Sequence, residues 1–311
     1  MSTFLQTLMD AIAVGSLYAL IALGYTLVFG ILQFINFAHS DVFALGAWLT
    51  WLSATVMIRL GQSHHGFDNP LLLGIFVPIA AIVGCGIMGF LIQNFAYKPL
   101  RGAPRLNVLI TAIGVSLLLE NTGQLRKVFG PYPRAVPTIF PDKVLAHIAG
   151  VQLRLVDVLV FTIAISLMLI MQFWIYHTRF GRAMRAISYN LSTAALMGIN
   201  VDRVIALTFV IGSCLAGAAG FLYAMKYPQL QQTAASVWIL LGLKAFVAAV
   251  VGGIGNVRGA LLGGILIGLV EFFGVAYLSS SYRDVYVFLV LILVLLIRPQ
   301  GILGTAAIEK V

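Results

Sequence analysis

Charge is scarce in this chain: Asp, Glu, Lys and Arg make up 9% of its 311 residues, against about 25% in soluble domains. With 61% hydrophobic residues, this excludes a water-soluble domain, whose surface needs far more charge, and a disordered chain, which cannot be so apolar. Cysteine is equally sparse. Cys85 and Cys214 both lie inside apolar runs and read as buried helix residues rather than a disulfide pair. No lysine is followed by Ser or Thr, so the G-x-x-x-x-G-K-[ST] phosphate loop of an ATPase is missing. H-E-x-x-H and G-x-S-x-G are missing too, and His64-His65, His39 and His147 have no accompanying ligand pattern. No metal site is expected, and nothing marks a nucleophile–base pair. No basic residue precedes Arg59, so the N-terminus is expected to be a retained first helix rather than a secretory signal.

What is present is apolar length. Residues 11–32, 71–97 and 204–225 are uncharged runs long enough to span a bilayer, which takes about 20 residues. Shorter runs lie at 42–58, 158–175 and 285–297. The segments 106–119, 245–257 and 259–270 are shorter still and are bounded by Glu120, Lys244, Arg258 and Glu271. Such segments predict broken or re-entrant helices. The reading is an all-α polytopic membrane protein, a single transmembrane domain over residues 1–311 with about eight or nine crossings.

The formal charge of +9 follows the membrane rather than a nucleic acid, because no basic run is interleaved with aromatics. Lys98, Arg101 and Arg105 crowd one loop, and Arg179, Arg182, Arg185 and Arg203 a second, two spans further on. Both should therefore fall on one side, the cytoplasmic one, with the C-terminus. Residues 126–154 are basic as well but hold Pro131, Pro133, Pro137 and Pro141, and are expected to be an irregular external loop.

Three stretches carry the candidate functional residues. Between two uncharged segments, Asn36, His39 and Asp41 stand where a simple hairpin would have glycine or proline. They either cap the flanking helices or line an unwound break in a transport path. In the second stretch, glycines recur four residues apart at 255, 259 and 263, and again at 264 and 268, a device for close helix packing in membranes. Packing does not explain Lys244 and Glu271, each of which would cost about 2.5–3.5 kcal/mol at the bilayer centre. They should face an aqueous cavity or a partner, and Glu120 is a third such candidate. Asn36 and Asn256 each precede a glycine-containing apolar helix, a faint echo that suggests an inverted repeat. The third stretch, Gly181 to Arg203, has alanines and leucines at helical spacing before Gly198, which describes a short amphipathic helix ended by glycine. It is either an interfacial loop or a docking helix.

In these stretches the chain resembles the bacterial ABC-importer permeases for branched-chain and other hydrophobic amino acids, and within them the shorter of the two permease subunits. The resemblance rests on Gly15–Thr26, Ile35–His39, Gly181–Ala186, Gly198–Phe209, Lys244–Gly255 and Arg298–Gly304, and runs over essentially the whole chain. It implies a transport subunit of the inner membrane that is not itself an enzyme. The implied partners are a second related permease, two cytoplasmic ATPases that hold ATP and Mg, and a periplasmic solute-binding protein. It also implies that Gly181, Arg182, Arg185, Ala194, Ala195 and Gly198 form the ATPase-docking surface. Relatives commonly carry an acidic residue where this chain has Ser188-Tyr189-Asn190. Asn36, His39, Glu120, Lys244 and Glu271 are the candidates for the translocation path, whose motion would be alternating access. The competing class is a stand-alone ion-gradient-driven transporter or channel, which also needs broken helices and intramembrane charge.

Overall fold

The computed structural model describes residues 2–63, 70–140, 143–148, 150–230 and 237–304; His64-His65 lie outside them. Helix α1 (Ser2–Leu32) is apolar on every face and is buried along most of its length, as expected of a helix at the centre of a bundle. The others around it are α2 (His39–Ser63), α3 (Pro70–Leu91), α4 (Arg105–Gln124), α5 (Leu155–His177), α6 (Arg179–Tyr189), α7 (Leu191–Leu196), α8 (Val201–Lys226), α9 (Val237–Gly252), α10 (Val257–Tyr277) and α11 (Arg283–Ile297). A π-helical turn at Ile92–Tyr97 and a 3-10 turn at Lys98–Leu100 extend α3. Among the described residues, eight helices are long and apolar enough to cross a membrane.

The bundle has two distinct ends. At one, the short strands β1 (Arg134–Ala135) and β4 (Gln229–Leu230) pair antiparallel, and β2 (Val144–Ile148) forms a hairpin with β3 (Val151–Arg154). The start of α1 joins this end: the Gln152 N–H donates to Gln6 Oε1 at 3.0 Å, and Lys226 lies between Asp10 (3.5 Å) and Asp157. At the other end, Asp202 pairs with Lys98 at 3.2 Å and with Arg101, so the two basic loops share one face, as their charge predicts. The chain's last described segment also lies there, with the Ile302 and Leu303 N–H groups donating to Val251 O and Gly252 O at 2.8 and 3.0 Å. Because the first and last described residues occupy opposite ends, the number of crossings is odd. Helix α9, of 16 residues and thus about 24 Å long, therefore crosses as well.

The helices form an inverted repeat. Helix α1 packs on α10 as α8 packs on α3; α9 lies between α10 and α11 as α2 lies between α3 and α4; and α1 touches α9 as α8 touches α2. Each helix of α1–α4 runs opposite to its counterpart in α8–α11. Both long pairings depend on an absent side chain. A Cβ on Gly264 would sit 2.4 Å from the Ala19 Cα, and one on Gly217 would sit 2.7 Å from the Ala81 carbonyl oxygen.

Several expectations change. Segments 106–119 and 259–270 are not re-entrant but belong to the full-length helices α4 and α10, which carry Glu120, Arg258 and Glu271 within them. Residues 245–257 do break, at Gly253 (φ 105°) and Gly255 (φ 94°). The segment that doubles back is 33–38. Helix α1 stops at Gln33 (φ 56°), and His39 then lies against Gly24, roughly two turns inside the end of α1. The 126–154 segment is ordered in part by its strands, and 181–203 holds two helices rather than one. The Asn36–Asn256 echo is no marker of the repeat: Asn256 caps α10, whereas Asn36 lies in the break before α2, whose counterpart is α9.

Candidate functional site

Lys244 and Glu271 face each other. Glu271, fully buried on α10, accepts from Lys244 Nζ at 2.9 Å, from Tyr18 OH at 2.7 Å and from Arg283 Nε. Lys244 also meets Asp284 at 2.6 Å, and the Arg283 guanidinium lies 5.6 Å from the Phe272 ring centre. Two cations and two anions cancel, so the group avoids the cost of isolated charge in a membrane. The network ties α1, α9, α10 and the first turn of α11 together. Of the two expected settings for Lys244 and Glu271, an aqueous cavity or a partner, the protein supplies partners, and the network reaches the surface only at Arg283 and Asp284.

Asn36 and His39 occupy a second place. Asn36 caps neither flanking helix through its side chain; its Oδ1 accepts from Tyr97 OH at 2.6 Å, and the Tyr97 ring lies tilted against Phe34 (5.2 Å) and Phe209 (5.3 Å). The His39 ring sits 4.7 Å from Tyr25, buried, with Nε2 unpartnered. Helix α9 closes this place, because Gly242 lets Ser40 approach and Phe246 lies 5.9 Å from Tyr25. Lys244 points from the opposite side of α9, about 200° round the helix from Gly242. The break and the ion network are thus back to back on one short helix.

Glu120 joins neither group. It is half-buried on α4, within electrostatic reach of Asp41, whose carboxylate accepts from the Ser116 hydroxyl. The structure adds Tyr18, Tyr97, Ser116, Arg283 and Asp284 to the polar set. Nothing in their local sequence announces them, since Tyr18 and Glu271 are 253 residues apart. Among the described residues, no three His, Cys, Asp or Glu gather as metal ligands.

At the basic end, α6 and α7 form an elbow. Three side chains build it by capping successive helix starts: Thr178 Oγ1 accepts from the Gly181 N–H at 3.1 Å, Asn190 Oδ1 from Thr193 at 2.9 Å and Asn200 Oδ1 from Arg203 at 3.0 Å. Gly198 closes α7 with φ 82°. Gly181 and Ala194 are buried, and a Cβ on Gly181 would sit 1.9 Å from the Ile175 carbonyl oxygen. They shape the elbow from beneath. Arg185 donates to that same carbonyl, and Arg182, Arg185, Ala195 and Gly198 are all exposed. The tip is apolar: Leu196 and Met197 are 88% and 79% exposed, a signal that the alanine pattern alone does not disclose.

Comparison with known proteins decides what this arrangement belongs to. Residues 7–296 match the family described as branched-chain amino acid transport system, permease component. The chain belongs to that family. It is 40% identical to the high-affinity branched-chain amino acid transport system permease protein BraD of Pseudomonas aeruginosa, over 99% of this chain and 98% of the relative. The same figures hold for the permease protein LivH of Escherichia coli K12. A probable branched-chain amino acid transport permease protein LivH of Methanocaldococcus jannaschii is 30% identical, over 94% of this chain and 90% of the relative. No solved structure matches. The chain is thus a multi-pass membrane permease and one component of a transport system.

Proposed function

We propose that this permease pairs with a second permease subunit to form the path by which branched-chain or other hydrophobic amino acids enter the cell. Two separate cytoplasmic ATPases, holding ATP and Mg, drive alternating access, and a periplasmic binding protein delivers the solute at the hairpin end. The bacterial inner membrane holds the assembly, with the basic end cytoplasmic. Hydrolysis belongs to the ATPase chains.

The observation that carries this reading is the elbow, an apolar tip exposed on the basic face where none of the described residues covers it. Leu196 and Met197 enter a groove on the ATPase, Arg182, Ala195 and Gly198 flank the contact, Gly181 and Arg185 fix the elbow to α5, and Ala194 is buried beneath it. The least-buried spans, α4 and α11, meet the partner permease. Glu120 then lies toward the path. Asn36, in the break, and His39, at the start of α2, are positioned to move with α2 and α9. Replacing Leu196 and Met197 together by Asp, or Arg182 and Arg185 together by Glu, is expected to abolish ATPase co-purification while the permease still folds. Intact assembly and uptake in both variants would overturn the docking assignment.

A further inference from the structure

Two cavities in the described structure differ in charge. The larger, about 840 Å³ at the hairpin end, contains Lys226, but Asp10 and Asp157 already match that cation. The smaller, about 450 Å³, lies at the basic end between the last turns of α5 and the first turn of α10. Leu169, Gln172, Phe173, Tyr176, His177 and Arg258 line it, with no carboxylate among them. Arg258 lies 5.9 Å from the centre of the Tyr176 ring and Arg185 lies 5.4 Å from it, so one ring holds two guanidinium groups. Among the described residues Arg258 makes no ion pair. It also stands in the first turn of a helix, where the peptide dipoles disfavour a cation.

Two arginines on one ring beside the end of a spanning helix, one of them without an ion pair, call for an anion. The cavity's other wall restricts which kind. Leu169 and Phe173 are 59% and 64% exposed on α5, one helix turn apart and within the membrane-spanning length. A ligand that fills this site has an anionic head beside a long apolar body. We infer that the cavity holds the headgroup of an anionic phospholipid from the leaflet at the basic end. Its phosphate lies against Arg258, and its acyl chains run along Phe173 and Leu169. Because Arg185 shares the Tyr176 ring and belongs to α6, the lipid also steadies the base of the elbow. The inference does not depend on what docks at the elbow tip.

The test is native mass spectrometry of the full chain released from micelles doped with phosphatidylglycerol or phosphatidylcholine. One phosphatidylglycerol is expected to be retained in preference to phosphatidylcholine. Arg258→Gln should weaken retention about fivefold, the effect of one basic residue at a membrane surface. Arg258→Lys should keep most of it, and Lys98→Gln, at the same end but outside the cavity, should leave it unchanged. If Arg258→Gln does not fold, His177→Gln gives the weaker form of the same loss. Equal retention of both lipids, equal effects of Arg258→Gln and Lys98→Gln, or displacement by equimolar inorganic phosphate would overturn the inference. The last result would mark a site for a free anion instead.

Discussion

The seam between α9 and α11 and the seam between α2 and α4 are counterparts in the inverted repeat, yet they treat charge in opposite ways. In the first, Lys244 reaches Asp284 across the seam while Glu271 and Arg283 complete a neutral set. In the second, Asp41 has a neutral donor, Ser116, and Glu120 lies nearby without a matching cation among the described residues. One half of the fold is thus fastened by compensated charge, and the other keeps a buried Asp41 beside a half-buried Glu120. A fold built twice over can dedicate one copy of a seam to holding the helices together and leave the other free to meet a partner or a solute.

The largest expected effect breaks the fastened seam. Glu271→Ala leaves Arg283 without its anion and Lys244 with Asp284 alone, and should destabilise the chain by about 3–5 kcal/mol, seen as a lower unfolding midpoint in detergent. Ser116→Ala at the counterpart seam should cost no more than about 1 kcal/mol. Equal losses at the two seams would remove the distinction.

A second pair of substitutions sharpens the symmetry itself. Gly264→Val and Gly217→Val each force a side chain into the backbone of the partner helix, α1 in one case and α3 in the other. Both should cost roughly 1–3 kcal/mol by the same unfolding assay. A large loss at one site and none at the other would mean that the two long pairings are not equivalent. The smallest expected stability change is at Glu120. Glu120→Gln should shift folding by no more than about 0.5 kcal/mol, as for a position outside any ion pair or packed core, while solute uptake by the assembled transporter falls. Unchanged uptake would take Glu120 off the path.

The long helices were legible because burial in lipid demands apolar length, and residues 11–32 and 204–225 announce it without a charge. In sequence, helices α4 and α10 read as short because Glu120, Arg258 and Glu271 stand where boundaries would. A helix ends where its backbone hydrogen bonds end, not where a charge sits, and Glu271 persists inside α10 because Lys244, Tyr18 and Arg283 come to it from three other helices. Those partners are distant in sequence, so no local pattern contains them. The elbow was half legible. Its glycine stop at Gly198 could be read directly, but the division at Asn190 depends on a cap to Thr193, and the exposure of Leu196 and Met197 follows only once α7 turns away from the bundle.

The central claim is that this permease moves its solute only as part of an ATP-driven assembly. Uptake of radiolabelled leucine into liposomes tests it most directly, comparing this chain alone under an ion gradient with the chain joined by a second permease, ATPases and binding protein. The account predicts uptake in the complete assembly with ATP and none from the lone chain. Gradient-driven uptake by the lone chain would contradict it.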